Sequence, residues 1–477
     1  MGDDNRETLR TEPSNPFSEA SQAKKAITLA AILCAVFGSI LQSATLSTML
    51  PIAAADVGGE SYYSLASTIG APLSIAAMPL WGYIAARSPH LKVPLLMASM
   101  ACGVLAVALR LIAPNMFVII GAMFFWGFVS PGVYVIGYAL IRDMYDSQKA
   151  GFYLGVCSTV IMAAMIVGPI GGGALMTALG WRSLNVLVLP FMIAALVLPA
   201  FGVRASKRDC AHLAHAGGKF DVAGTIALCI GLGGLILYLS AGTSLIPFFS
   251  MASNILLVVT VVALIIMVRV IVKKQADAIV PAPAMKNRNV LAFTSANFCA
   301  NFSNMAAFFF MPTFIIYVLG GTSTDSGLVM ACFSVFGVFL GPVFGKMIGK
   351  QGTAKGVLVL SASLRVVVSI AMIFVLTSNP SIPMLMVTML IAGLYNSSHG
   401  VCFSAGPQVQ LPEDLRVQGN SVIQCGQNFG SGVGTAIYTV IIGVFGVTGG
   451  MPVALGVAAV FGALTLVSAL FLKKLDA

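Results

Sequence analysis

The sequence predicts an all-α membrane protein, a bundle of about fourteen transmembrane helices. Three observations carry this expectation: 58% of the 477 residues are hydrophobic and only 9% are charged, the apolar residues fall in long runs, and the basic residues sit in short clusters between those runs.

A soluble chain of this length would expose far more surface than so few charges could cover, so lipid is the missing solvent. Backbone in a bilayer must satisfy its own hydrogen bonds. Runs such as Ile27 to Ile52 and Asn254 to Val268 are helix-length and lack the polar/apolar alternation of barrel strands.

The net charge of +10 does not point to nucleic acid, because the basic residues are spread along the chain where the positive-inside rule puts them. Nine cysteines, mostly inside apolar runs and with no C-x-x-C pair, read as free, packed thiols. Residues 1–26 are polar and precede the first apolar run, unlike a signal peptide, and are expected to form a disordered cytoplasmic tail.

Charged and Gly/Pro/Asn-rich breaks divide the remainder into spans near 27–53, 63–86, 93–113, 116–140, 151–178, 184–203, 222–242, 250–270, 290–318, 326–345, 356–377, 383–406, 419–446 and 451–472. With both termini cytoplasmic, the internal loops collect the Lys and Arg residues, from Arg87 and Lys92 through Arg204, Lys207 and Arg208 to Lys473 and Lys474. Arg110, Arg182 and Arg365 are the exceptions. An odd number of crossings would break the alternation.

An internal repeat is also visible. Pro79, Gly82, Arg87 and Lys92 share their spacing with Pro342, Gly345, Lys350 and Lys355, and each set is followed by one span, a Pro/Asn break and a helix with a glycine, Gly127 or Gly393. Repeats of this size in a helical bundle are the mark of pseudo-symmetric transporters that hold substrate between two rocking halves.

These residues resemble the major facilitator superfamily, and specifically its fourteen-helix drug:proton antiporter branch. The loop from Gly82 through Ala86, Arg87 and Pro89 to His90 is similar to that superfamily's G-x-x-x-D-R-x-G-R signature between spans two and three. Gly168-Pro169-Ile170-Gly171-Gly172, followed by Gly180-Trp181-Arg182, resembles the antiporter motif on span five and the turn after it. Phe220 to Gly224 resembles the entry into the extra helix pair, and Gly419 to Gly434 the Gly-rich thirteenth span. The resemblance implies two six-helix halves, 27–203 and 289–477, joined by a linker, 204–288, that carries two additional helices. It also implies gating by Gly82, Arg87, Gly168, Pro169, Gly171 and Gly172. Glycine and proline on span five equally suit plain tight packing. Two positions depart from the family pattern: Ala86 replaces its acidic residue, and the fourth span around Met123 to Gly127 lacks its arginine.

An ionisable group inside a span costs several kcal/mol unless solvated or paired, so each marks a candidate site. Every Asp and Glu lies in the tail, a loop or near a span end, which disfavours cationic substrates. Arg365, mid-span, is a candidate for attracting a substrate carboxylate, the alternative being bonds to backbone carbonyls. Arg110, near the external end of span three, is expected to snorkel. His399 is a candidate for proton coupling, the alternative being a hydrogen-bonded packing residue. Asn297, Asn301 and Asn304 recur at helical spacing, as do Asn420, Gln424, Gln427 and Ser431; Gln42 and Thr45 share a face of span one, and Asn396 precedes His399. These amides are expected to line a substrate cavity or, alternatively, to bond between helices. Phe308, Phe309, Phe310, Trp126 and Tyr134 are candidate apolar walls.

The chain has no Walker A, G-x-S-x-G or H-E-x-x-H sequence, so neither an enzyme nor a cofactor or metal is expected. The expected partners are a small organic substrate, protons and the lipid bilayer, not nucleic acid, with the chain acting as a monomer in the cytoplasmic membrane. The expected function is proton-coupled secondary transport of a neutral or anionic amphiphile, a carboxylated steroid such as a bile acid being one example. Multidrug efflux by proton antiport is the nearest alternative, and a membrane sensor or channel a minor one.

Overall fold

The computed structural model describes residues 15–59, 62, 66, 69–210, 221–241, 249–378 and 380–474. Regular structure among them is entirely helical. In chain order the helices are α1 (Pro16–Glu19), α2 (Gln22–Asp56), α3 (Gly70–Arg87), α4 (Lys92–Leu111), α5 (Met116–Trp126), α6 (Tyr138–Met144), α7 (Ser147–Leu179) and α8 (Ser183–Val197). They continue with α9 (Val222–Ala241), α10 (Met251–Lys274), α11 (Ala282–Lys286), α12 (Arg288–Tyr317), α13 (Ser323–Gln351), α14 (Lys355–Ser378), α15 (Ile382–Gln410) and α16 (Arg416–Leu470).

Eleven helical stretches among the described residues are long and apolar enough to cross a membrane. One of them joins α5 to α6 through a π-helical turn, Pro131–Gly137. Two further helices have the length but less of the grease: α3 contains Pro72 and Pro79, and α15 carries Asn396, Ser397, Ser398 and His399 in its middle.

The helix ends follow from local chemistry. Asn115 and Asn287 accept hydrogen bonds from the first free N–H groups of α5 and α12. Thr322 and Asp325 form a reciprocal capping box at the start of α13, and Gly352 ends it in the left-handed region at φ 68°.

Helix α16 is two legs. Gly446, at φ 69° and ψ 172°, interrupts it, and Gly450 packs against the backbone of Ile442. Before the break, Gly419, Gly426, Gly430 and Gly434 meet Val290, Thr294, Phe298 and Phe302 in turn, so the first leg runs parallel to α12. After it, Ser303 donates to the Ala458 carbonyl and Ser295 to the Ser468 hydroxyl, so the second leg runs back.

The residues preceding and following the expected breaks also correct two expectations. The polar N-terminal segment is ordered from residue 15 onward: Asn15 caps α1, Phe17 is buried in the core, and Lys25 donates to the Ser18 carbonyl. A disordered tail reaching residue 26 is therefore not what the chain forms, because a single large aromatic anchors the segment; residues 1–14 lie outside the described residues. Arg110 does not snorkel. It is fully buried, donating to Asn185 Oδ1 at 3.1 Å and lying 5.0 Å from the Trp126 ring centroid.

The N-terminal and C-terminal helices meet along two seams. In one, α7 crosses α13 with glycine against glycine: a Cβ on Gly151 would stand 2.5 Å from the Gly345 carbonyl oxygen, and Gly155 and Gly341 abut in the same way one turn on. In the other, α3 crosses α16, and Gly82 abuts Ser421. The two glycines of the internal repeat, Gly82 and Gly345, thus occupy equivalent places in the two seams. Helix α9 fills the groove beside the second seam, with Gly233 on Pro72 and Ile236 against Gly432. All nine cysteines are free.

Candidate functional site

Between the N-terminal and C-terminal helices lies a cavity of about 310 Å³. Helices α2 and α7 and the π-helical turn wall one side; α12, α13, α15 and α16 wall the other. The helical spacing of the amides explains which reach it. Asn301 and Asn304 of α12, Asn396 and His399 of α15, and Gln424 and Gln427 of α16 all line the cavity. Ser431, Phe308 and Tyr134 join them.

The other expected site residues lie behind the wall. Asn297 donates to the Ile423 carbonyl and its own oxygen accepts from Asn301, so it joins α12 to α16. Asn420 donates to the Tyr134 carbonyl at 3.0 Å, a tie between the two sets of helices. Thr45 bonds its own helix and packs on Gly172. Gln42 is fully buried, and neither of its polar atoms has a partner among the described residues.

Arg365 is 1% exposed and does not line the cavity. One terminal nitrogen donates to the Ala300 carbonyl at 2.8 Å and to Asn304 Oδ1; the other lies 3.4 Å from His399 Nδ1. The guanidinium also sits 4.6 Å from the Tyr395 ring centroid. Arg365 thus bonds a backbone carbonyl, as one of the two alternatives expected, and it also contacts two side chains that line the cavity. Among the described residues no carboxylate lines the cavity or forms an ion pair with Arg365.

Of the glycine motif on α7, Gly168 packs on Ala44 and Gly172 on Thr45, so this stretch joins α7 to α2, while the opposite end of α7 carries the Gly151 and Gly155 seam. Among the described residues, a Cβ on Gly171 would meet Val167 of its own helix and no other helix; the Pro169 side chain lies outside the described residues, as does that of Phe309. Trp126 serves Arg110, and Phe310 packs against the Tyr438 ring, so neither is a cavity wall. Arg87 donates to Asp277 in the connection after α10.

Sequence reasoning missed Met162, Met165, Met305, Tyr138 and Phe403, which also line the cavity. They lie among many similar apolar residues, and only the rotation of each helix tells them apart. Methionine fills irregular gaps and adapts to varied apolar surfaces.

Comparison with known proteins agrees with this architecture. The Major Facilitator Superfamily model matches residues 32–294 and 293–476. The chain is 22% identical over 340 residues to the multidrug transporter protein MdtP of Bacillus subtilis, covering 70% of this chain and 60% of that protein. It is 26% identical over 340 residues to the multidrug export protein EmrB of Escherichia coli K12, covering 69% of this chain and 63% of that one. The matched part therefore spans less than two thirds of either relative. Among solved structures, the human organic anion transporter MFSD10 (TETRAN) aligns with a TM-score of 0.58 at 12% identity, over 93% of this chain and 98% of that one. A bacterial homologue of the iron transporter ferroportin in its outward-facing state aligns with a TM-score of 0.61 at 12% identity, over the same shares. With its helical bundle, its central cavity and a family match that runs nearly from end to end, this chain belongs to the Major Facilitator Superfamily.

Proposed function

We propose that the protein is a secondary active transporter of an amphipathic organic molecule with an anionic or neutral head, a carboxylated steroid such as a bile acid being the concrete example. It crosses the cytoplasmic membrane fourteen times with both termini inside, in two six-helix halves and a linker pair, and works by alternating access coupled to protons. The observation that carries the substrate class is the cavity wall: amides and His399 face the cavity, the buried cation Arg365 stands directly behind them, and no carboxylate lines it among the described residues. A cationic substrate would meet donors and a buried positive charge, whereas an anion finds its countercharge there. The cavity's methionines and aromatic rings suit the apolar body of such a molecule. His399 is the proposed proton carrier and the amide residues the proposed substrate ligands.

The test is uptake by the purified protein in liposomes with an imposed pH gradient, using a panel of anionic, neutral and cationic amphiphiles. Gradient-driven uptake of the anions is expected; transport confined to cationic dyes defeats the reading. Multidrug efflux is the second reading, favoured by the names of MdtP and EmrB. Broad drug protection of cells expressing the protein would select it. Transient accumulation in a counterflow experiment separates both from a sensor or channel.

A further inference from the structure

The bonds made by Arg365 fix the polarity of two cavity groups. A guanidinium has five N–H donors and no acceptor. Whatever lies within bonding distance of it must therefore accept. Asn304 does so through Oδ1, which leaves its Nδ2 hydrogens for other partners. His399 places Nδ1 3.4 Å from Arg365, and in the neutral tautomer that accepts there the ring hydrogen is carried on Nε2. Both residues line the cavity, and no acceptor among the described residues is bonded to Asn304 Nδ2 or His399 Nε2. The buried charge is thereby converted into two N–H donors at the cavity wall, one from α12 and one from α15.

We infer that Asn304 and His399 form a two-donor head-group subsite for a ligand whose head is an acceptor-only anionic oxygen pair, a carboxylate or sulfonate, with Arg365 as the positioning residue and countercharge behind them. The inference deepens the proposed substrate class and rests on it. A carboxylate accepts one hydrogen from each residue and sees the guanidinium one side chain away. An ammonium head has no lone pair to offer either donor, and an ester offers acceptors without the charge. Arg365 is held off the ligand by its own bonds, and its stem packs on Gly462 of the second leg of α16. The subsite therefore recognises the head through groups that Arg365 orients.

The experiment measures binding of cholate and of its uncharged methyl ester to the full-length protein in detergent. Asn304→Asp keeps the size, removes the donor and places an anion on Arg365; His399→Phe removes the ring nitrogens; His399→Gln retains one acceptor and one donor. Asn304→Asp and His399→Phe are expected to weaken cholate binding by about tenfold or more, a tenfold loss being about 1.4 kcal/mol, and ester binding by clearly less, because a hydrogen bond to an uncharged acceptor is worth about half of one to an anion. His399→Gln should stay within about threefold of wild type for both ligands, as a preserved donor requires. Ester binding reports that each variant is folded, so a purely structural role would weaken both ligands together. Equal losses for the two ligands, or unchanged cholate affinity in Asn304→Asp and His399→Phe, overturn the subsite and leave the broader substrate class standing. A wild-type protein that binds neither ligand but takes up a cationic dye overturns both.

Discussion

Arg87, the last residue of α3, bonds to Asp277, which lies 190 positions further along the chain in the connection that leaves α10. The pair sits where the chain has Ala86 in place of an acidic residue, so the negative charge beside Arg87 comes from the linker and not from the neighbouring position. The same connection is fastened a second time: Asp221 at the start of α9 accepts from Lys274 at 2.8 Å and from the Ile279 backbone at 3.0 Å. The linker is thus buttoned onto the end of the seam where Gly82 meets α16.

Because Asp277 is 45% exposed, water and salt screen the pair and its coupling is expected to be about 0.3–1 kcal/mol. Arg87→Ala and Asp277→Ala should each slow transport by no more than about fivefold, and the double variant should be no worse than the single ones. A double-mutant cycle on initial uptake rates checks this; full additivity would show that the two residues act separately.

The α7–α13 seam has no room for a side chain. Gly155→Leu should hold the two helices apart and reduce transport by about tenfold or more, equivalent to about 1.4 kcal/mol, while the protein still elutes as a folded species. Spin labels placed on the two sides of the seam should report a longer distance in the variant. An unchanged distance with unchanged transport would mean that this seam does not have to close.

Burial pushes the Asp221 carboxyl up, but the Lys274 ammonium and the N–H groups of Gly224 and Ile279 outweigh it and hold the group below its ordinary value of 3.8. A carboxylate depressed in this way contributes stability that is complete above the unfolded pKa and is lost as pH falls through the depressed one. Asp221→Asn should therefore melt below wild type by a constant margin above about pH 5, with the margin shrinking below about pH 4. At neutral pH the loss is expected to be about 1.5–3 kcal/mol, the usual worth of a hydrogen bond to a charged group. Melting curves of both proteins across this range are the measurement.

Arg110→Met leaves Asn185 Oδ1 without its donor inside the bundle, and is expected to cost about 1–3 kcal/mol of stability. Adding Asn185→Leu should recover part of that loss, since an apolar pair of similar size is often as stable as the polar one. Thermal melting in detergent reads both variants. A double variant less stable than the sum of the single ones would mean that the polar pair specifies the packing of α4 on α8.

What the sequence made legible is depth along each helix; what it hid is rotation about it. The spans around Asn301, Asn304, His399 and Gln424 could be marked because polar residues inside apolar runs stand out. Their grouping around one cavity needed the helices to be placed. Asn297 is one turn from Asn301 yet faces Ile423, and Asn420 is one turn from Gln424 yet faces Tyr134. Arg110 was misplaced for a related reason: nearness to a span end says that water is within reach, but not that Trp126 and Asn185 are closer. The Asp277 partner of Arg87 was out of sight because no periodicity links residues so far apart.

Helix α10 has 24 residues, only 11% of its apolar stretch is buried, and its last residues include Lys273 and Lys274. At about 1.5 Å per residue it is roughly 36 Å long, several ångströms more than an average hydrocarbon layer of about 30 Å. It is also the least buried of the candidate spans among the described residues, so lipid thickness bears on it directly, and it is expected to tilt more in thin membranes than in thick ones. Since Lys274 holds Asp221 and the next residues hold Arg87, that tilt is delivered to the α3 end of the molecule. Transport rate is expected to change across liposomes of graded acyl-chain length, and the dependence should weaken once Asp277→Ala cuts the tether.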